Sequence, residues 1–137
     1  MNAVFVSSLL DRIVDLALAE DLEGGDLTTE ATVSHEARAV ARAVARTDLV
    51  VCGGDVFARV FYRVGPGRRV ERLLDGGADA RRGDVLWVVE GAARSLLMGE
   101  RTALNFAQRM SGIATLARRY VRALPEGSAT RITDTRK

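Results

Sequence analysis

The chain has 137 residues, of which 47% are hydrophobic and 28% charged, so it can bury one modest core. Its formal net charge is only +2, which gives no reason to expect a nucleic acid or an anionic membrane as a partner. The single cysteine, Cys52, excludes a disulfide framework within the chain, and no stretch approaches the roughly 20 apolar residues of a membrane span. The first residues also lack the pattern of a secretory signal, so we expect a soluble cytoplasmic protein.

The first third of the chain carries a helical pattern and an ambiguous one, separated by a glycine-rich turn. Residues 8–19 predict an amphipathic helix, since apolar residues recur at helical spacing. Those positions are Leu9, Leu10, Ile13, Val14 and Ala17. Residues 20–29, EDLEGGDLTT, interrupt the pattern with two adjacent glycines. Residues 37–46, ARAVARAVAR, fit a helix by composition and a strand by strict alternation, so periodicity leaves both open.

The middle of the chain predicts one short helix and a small β-layer. The helix is predicted at 55–64, where apolar residues recur in pairs at i, i+4. Short runs separated by glycine turns follow at 70–74, 85–90 and 94–97. Residues 85–89 form a continuous apolar run around Trp87, which indicates a strand buried on both faces. A last strand is predicted at 129–133, after the long helix.

The longest helical pattern runs from about residue 99 to residue 124. One of its faces is apolar and comprises Ala103, Ala107, Met110, Ala114, Ala117, Val121 and Leu124. The opposite face is polar but nearly uncharged and comprises Arg101, Asn105, Gln108 and Gly112. A face of this kind indicates a surface that contacts another molecule, although an ordinary amphipathic helix is the alternative.

Few residues suit metal or nucleophilic chemistry. His35 is the only histidine and Cys52 the only cysteine of the 137 residues, so neither a zinc site nor a catalytic triad is predicted. The sequence also contains no glycine-rich phosphate loop of the P-loop or dinucleotide-binding type. The chemistry of this chain is therefore expected to lie in binding a charged ligand.

The remaining candidates are cations: Arg101, Arg136 and Lys137, with Thr135 beside them. Guanidinium groups bind carboxylates through paired hydrogen bonds, so this set suits a small, multiply anionic ligand. Because Arg101 lies near the predicted start of the long helix, the helix dipole would add to the attraction for an anion. The alternative is that Arg101 pairs with Glu90 or Glu100 on the surface.

Three stretches together resemble quinolinate phosphoribosyltransferase, the family also called nicotinate-nucleotide pyrophosphorylase (carboxylating). They are EDLEGGDLTT at 20–29, GERTALNFAQRMSGIATLARRYV at 99–121 and RITDTRK at 131–137. The resemblance implies an α/β fold in which an N-terminal α/β sandwich domain, residues 1–108, is followed by the start of an open α/β barrel. Residues 109–137 would then hold the end of the long helix and the first barrel strand. The resemblance also favours a strand over a helix at 37–46.

The resemblance further implies an activity and a set of ligands. The family transfers the phosphoribosyl group of 5-phosphoribosyl-1-pyrophosphate to quinolinate with loss of CO2, assisted by Mg²⁺, in de novo NAD synthesis. The products are nicotinate mononucleotide and pyrophosphate. Arg101 would reach into the quinolinate site of a neighbouring subunit of a homodimer or higher homo-oligomer, and Thr135, Arg136 and Lys137 would line the same pocket. No metal ligand is assigned, because the family's acidic residues that hold the metal have no matching position here.

Because the chain stops directly after the predicted barrel strand, we expect a truncated form whose 137 residues alone do not catalyse the reaction. One alternative is a non-catalytic dimerisation or binding module of the same fold. Another is a relative linked to molybdenum transport, which shares the GGDLTT and helix motifs. The sequence RITDTRK at 131–137 favours the quinolinate enzyme over that relative.

Overall fold

The computed structural model describes residues 3–23 and 27–134, with the side chains from residue 8 to 23 and from 29 to 134. This part of the chain forms four helices and five strands. In chain order they are α1 (Ala3–Leu22), α2 (Leu27–Thr32), β1 (Arg38–Val44), β2 (Leu49–Val50), α3 (Gly54–Arg63), β3 (Arg69–Arg72), β4 (Asp79–Ala80), β5 (Val85–Ala92) and α4 (Ala93–Arg122). None of these helices combines the length and the apolarity needed to span a membrane.

The strands form two antiparallel sheets. In the larger one β5 lies between β1 and β3, so that Val89 faces Ala41 on one side and Val70 on the other. In the smaller one β2 pairs with β4, with Leu49 opposite Ala80. The ambiguous run at 37–46 is therefore a strand. Pairing with β5 along the whole of β1 outweighs the helix propensity of alanine and arginine, because local propensity is weak beside tertiary contacts.

The core lies between the larger sheet and the helices. The predicted short helix is confirmed as α3, and its apolar residues Val56, Phe57, Val60 and Phe61 are all buried. The ring of Phe57 stacks on Trp87 of β5, with centroids 4.7 Å apart. The buried Leu96 and Ala103 of α4 belong to the same core. A sheet covered by helices is the α/β sandwich that the resemblance implied.

The long helix begins earlier than its pattern indicated. The run at 94–97, predicted as part of the β-layer, forms the first turn of α4, which starts at Ala93. The reason is that Leu96, Gly99 and Ala103 are all buried and continue one helical stripe at i, i+3 and i+7. A run of four residues is too short to distinguish a strand from a helix segment by itself.

Two further predictions need correction. Residues 129–133 have no regular secondary structure, because no strand of the described residues lies beside them to complete the hydrogen bonds of a strand. Among the side chains of α1 that the structure describes, those of Val14 and Leu18 are buried, whereas Leu9 and Ile13 of the predicted stripe are exposed. The helix is therefore rotated relative to the predicted face, since α3 and α4 cover only one narrow stripe of it.

Candidate functional site

Arg101 lies on the exposed face of α4, with 75% of its side chain accessible to solvent. It is eight residues after Ala93, the first residue of the helix, and so more than two turns from the N-terminus. The prediction that the helix dipole assists Arg101 is therefore wrong, because the dipole acts within the first turn only. Any attraction of Arg101 for an anion comes from its own charge and from its neighbours.

The nearest charged neighbour of Arg101 is Asp21, in the last turn of α1. The Nη1 group of Arg101 donates a hydrogen bond to Oδ1 of Asp21 at 2.8 Å. The adjacent Thr102 donates its hydroxyl to the other carboxylate oxygen, Oδ2, at 3.2 Å. Surface pairing with Glu90 or Glu100, the alternative partners in the sequence, is not what the structure has. Nothing in the local pattern indicated Asp21, because it is 80 residues away in the chain.

The last turn of α1 concentrates negative charge. It contains Glu20 and Asp21, and it contains no basic residue. Carboxylates at the C-terminus of a helix interact unfavourably with its dipole and with each other. Asp21 is nevertheless mostly covered, with 16% of its side chain exposed, and Arg101 supplies the compensating charge. The pair therefore links α1 to α4 at a position where helix preferences alone would not place an acid.

Two hollows flank this pair on the surface of α4. The first, of about 310 Å³, lies between α1 and α4 and is bordered by Asp21, Thr102 and Asn105. The second, of about 420 Å³, follows the outer face of α4 and is bordered by Arg101, Asn105 and Gln108. The polar face predicted for the long helix is thus confirmed as an exposed surface, with Gly112 also exposed. The hollow that borders Arg101 has room for a small ligand.

A second arginine of α4 holds the segment that follows the glycine-rich turn. Arg94 donates from Nε to the carbonyl oxygen of Val33 at 2.7 Å and from Nη2 to that of Glu30 at 2.9 Å. Because α2 ends at Thr32, these bonds satisfy carbonyl groups at and just beyond its C-terminus. Arg94 and Arg101 thus fasten α2 and the end of α1 to the same helix. The sequence offered no signal for Arg94, which looked like part of a short strand.

Farther along α4, two hydroxyl groups bind the edge of the smaller sheet. Ser111 accepts a hydrogen bond from the amide of Cys52 at 3.1 Å and donates to the carbonyl of the same residue at 3.0 Å. Thr115 accepts one from the amide of Val50 at 2.8 Å. These bonds replace the neighbouring strand that β2 lacks on this side. They also explain why small hydroxyl residues stand on the inner face of a long helix.

Replacement of Ser111 by alanine is expected to lower the free energy of unfolding by about 1–3 kcal/mol, because the amide and carbonyl of Cys52 both lose their partner. The measurement is urea denaturation followed by far-UV circular dichroism. Gln108→Ala, one turn earlier on the exposed face of the same helix, is the control and should stay within about 0.5 kcal/mol. Equal stabilities for the two variants would contradict this assignment of Ser111.

Three of the four predicted site residues, Thr135, Arg136 and Lys137, lie outside the described residues. Their proximity to Arg101 therefore stays a prediction. In the described ranges, 3–23 and 27–134, no group of three or more histidine, cysteine, aspartate or glutamate side chains could hold a metal ion.

Fold and site together define a small α/β sandwich domain that presents Arg101 from the exposed face of its longest helix. Residues 26–111 match the family model described as "Quinolinate phosphoribosyl transferase, N-terminal domain". The chain belongs to this family. The match covers the elements from α2 to the middle of α4 and includes Arg101.

Sequence relatives carry names of the same family. The chain is 37% identical over 110 residues to the chloroplastic nicotinate-nucleotide pyrophosphorylase (carboxylating) of Oryza sativa subsp. japonica, covering 80% of this chain and 30% of the relative. It is 36% identical over 110 residues to quinolinate phosphoribosyltransferase (decarboxylating) 1b of Nicotiana tabacum, covering 80% of this chain and 31% of the relative. The chain thus spans about a third of the length of these relatives.

Solved structures show the same fold. NadC from Streptococcus pyogenes superposes with a TM-score of 0.82 and 35% sequence identity, covering 85% of this chain and 41% of that one. The nicotinate-nucleotide pyrophosphorylase from Francisella tularensis superposes with a TM-score of 0.78 and 28% identity, covering 84% and 41%. The α/β class is therefore confirmed, both by the observed elements and by these neighbours.

Proposed function

We propose that this chain supplies the N-terminal domain of a quinolinate phosphoribosyltransferase. The reaction is transfer of the phosphoribosyl group of 5-phosphoribosyl-1-pyrophosphate to quinolinate with decarboxylation, which forms nicotinate mononucleotide, pyrophosphate and CO2. The names of the relatives support the reaction, and the motifs at 20–29, 99–121 and 131–137 support it from the sequence. The domain boundary at residue 108 belongs to this proposal, although α4 runs through it without a break.

The observation that carries the proposal is the exposure and the hydrogen bonding of the Arg101 guanidinium. Its guanidinium is exposed, and its hydrogen bond to Asp21 uses only Nη1. The remaining N–H groups of a guanidinium lie in one plane and match the two oxygens of a carboxylate. Quinolinate carries two carboxylates, so an arginine with a free edge suits it. In our proposal Thr135, Arg136 and Lys137 contribute further cations and a hydroxyl group to the same pocket.

The proposed site is shared between two copies of the protein. Arg101 projects from the exposed face of α4, with 75% of its side chain accessible to solvent, which supports a role in a neighbouring subunit's pocket. We therefore expect a homodimer or a higher homo-oligomer. Mg²⁺ would assist through 5-phosphoribosyl-1-pyrophosphate, with protein ligands outside the described residues. A cytoplasmic location is part of the proposal and is supported by Cys52, a free cysteine.

The proposal is tested with a chimera in which residues 1–137 replace the equivalent stretch of the Francisella tularensis enzyme. The chimera is mixed with quinolinate, 5-phosphoribosyl-1-pyrophosphate and Mg²⁺, and nicotinate mononucleotide is measured by chromatography. We expect product from the chimera and none from the 137-residue chain alone. The unmodified Francisella protein is the positive control, and circular dichroism verifies that the chimera is folded.

Two outcomes would contradict the proposal. A folded chimera without activity would refute the assignment to the quinolinate enzyme. If, in addition, the 137-residue chain associates in light scattering but ignores quinolinate, the chain is a non-catalytic dimerisation module. Product from the chain alone would instead refute the prediction that it is incomplete.

A further inference from the structure

We infer that Asp21 is a positioning residue for Arg101: it holds the guanidinium by one N–H group and leaves the opposite edge free for a carboxylate of the substrate. The inference rests on the proposed function for the identity of that substrate. The contact on which it depends lies entirely within the described residues of α1 and α4. It assigns a role to the first motif, at 20–29, that the sequence did not suggest.

The geometry of the pair is the first support. Only Nη1 of Arg101 contacts Asp21, at 2.8 Å from Oδ1, and within the described part of the chain Arg101 forms no other ion pair. A guanidinium presents five N–H groups in a rigid plane, and the edge formed by Nε and Nη2 lies away from Nη1. That edge can form two parallel hydrogen bonds to a carboxylate while the bond to Asp21 is retained. The two interactions are therefore compatible.

The restraint on Asp21 is the second support. Thr102 donates to Oδ2 of Asp21 at 3.2 Å and is itself buried, with 4% exposed. One carboxylate oxygen of Asp21 thus accepts a hydrogen bond from a buried residue of α4, and the other accepts one from Arg101. An exposed arginine otherwise samples many rotamers, and a ligand must overcome that freedom when it binds. A fixed carboxylate removes part of this freedom before the ligand arrives.

The position of Asp21 is the third support. An acid in the last turn of α1, next to Glu20, is unfavourable for the helix itself. Residues that oppose the local preference without an evident local gain are expected mainly at functional sites. An ion pair that served only to pack α1 on α4 would affect stability alone. A positioning role must also change the affinity for the substrate, and this difference can be measured.

The test uses Asp21→Asn in the active chimera, because asparagine keeps the volume and removes the charge. We expect the KM for quinolinate to rise about tenfold, as for loss of one charge-assisted contact, with kcat within about twofold and the KM for 5-phosphoribosyl-1-pyrophosphate unchanged. The matched control is Asp15→Asn, also on α1. Asp15 accepts two hydrogen bonds from Arg63, at 2.6 and 2.7 Å, and the bond raises the pKa of that guanidinium. The Asp15→Asn variant should leave the KM values for quinolinate and for 5-phosphoribosyl-1-pyrophosphate unchanged.

A second measurement needs no activity and uses the 137-residue chain. Rotation about the Nε–Cζ bond of Arg101, followed by nitrogen-15 NMR, should be slow in the native chain and several times faster in Asp21→Asn. Equal rotation rates would overturn the inference. An unchanged KM in Asp21→Asn would also overturn it, while the activity of the parent chimera would leave the proposed function standing. If the parent chimera is inactive, the proposed function fails, and the rotation rates still decide whether Asp21 restrains Arg101.

Discussion

Replacement of Arg101 by alanine in the chimera is expected to lower kcat/KM for quinolinate by a factor on the order of one hundred or more. The reason is that, in the proposed site, the substrate loses a pair of charge-assisted hydrogen bonds, each of which contributes roughly 1.5–3 kcal/mol. A loss of about 3 kcal/mol corresponds to slightly more than two powers of ten in rate. The measurement is steady-state formation of nicotinate mononucleotide at varied quinolinate and saturating 5-phosphoribosyl-1-pyrophosphate.

The control for this experiment is Arg119→Ala. Arg119 is exposed on the same helix, five turns beyond Arg101. Arg119→Ala removes one positive charge, as Arg101→Ala does. A difference between the two variants therefore reports the position of the arginine and not the net charge of the protein. Equal losses in the two variants would indicate a general electrostatic effect and would contradict the assignment of Arg101 to the quinolinate site.

Replacement of Trp87 by alanine is expected to lower the free energy of unfolding by about 3–5 kcal/mol, a large part of the stability of a small domain. Trp87 is 1% exposed on the central strand β5, and its ring stacks on Phe57. Alanine would leave a cavity between the sheet and α3 that these elements cannot close. The measurement is urea denaturation monitored by far-UV circular dichroism, because the variant lacks the tryptophan used for fluorescence.

Two further variants keep this experiment informative if Trp87→Ala does not fold. Trp87→Phe should lower the free energy of unfolding much less, since it retains an aromatic ring. The indole N–H that it removes has no hydrogen-bond partner among the described residues. Tyr62→Ala removes an exposed aromatic ring from α3, and its free energy of unfolding should stay within about 0.5 kcal/mol of the native value. A Trp87→Phe variant as unstable as Trp87→Ala would contradict the assignment of this stabilisation to the stacked aromatic ring.

The periodic patterns correctly predicted the elements whose apolar side chains all pack into the core. The helix at 55–64 was found within one residue, because its apolar residues recur on one face and all meet the core. The strand around Trp87 was found for a similar reason, as a continuous apolar run is typical of a strand covered on both faces. By contrast, the run at 37–46 could not be assigned from its pattern, since its composition favours a helix and its strict alternation favours a strand.

Boundaries were predicted less well than elements. The start of α4 was placed six residues late, at 99 instead of Ala93, because residues 94–97 are too short to show a helical period alone. This error had a consequence for the site. It placed Arg101 at a helix N-terminus and suggested an effect of the dipole that the structure does not support.

The sequence by itself determined the family, through three motifs in order, and it determined that Arg101 stands on a polar face of a long helix. Both conclusions depend on the identity and spacing of residues that are close together in the sequence. Only the tertiary structure decided what Arg101 touches. Its partner, Asp21, is 80 residues away, and the packing of α1 on α4 brings the two together. Such a contact depends on how two helices pack, and periodicity reports only which face of each helix is apolar.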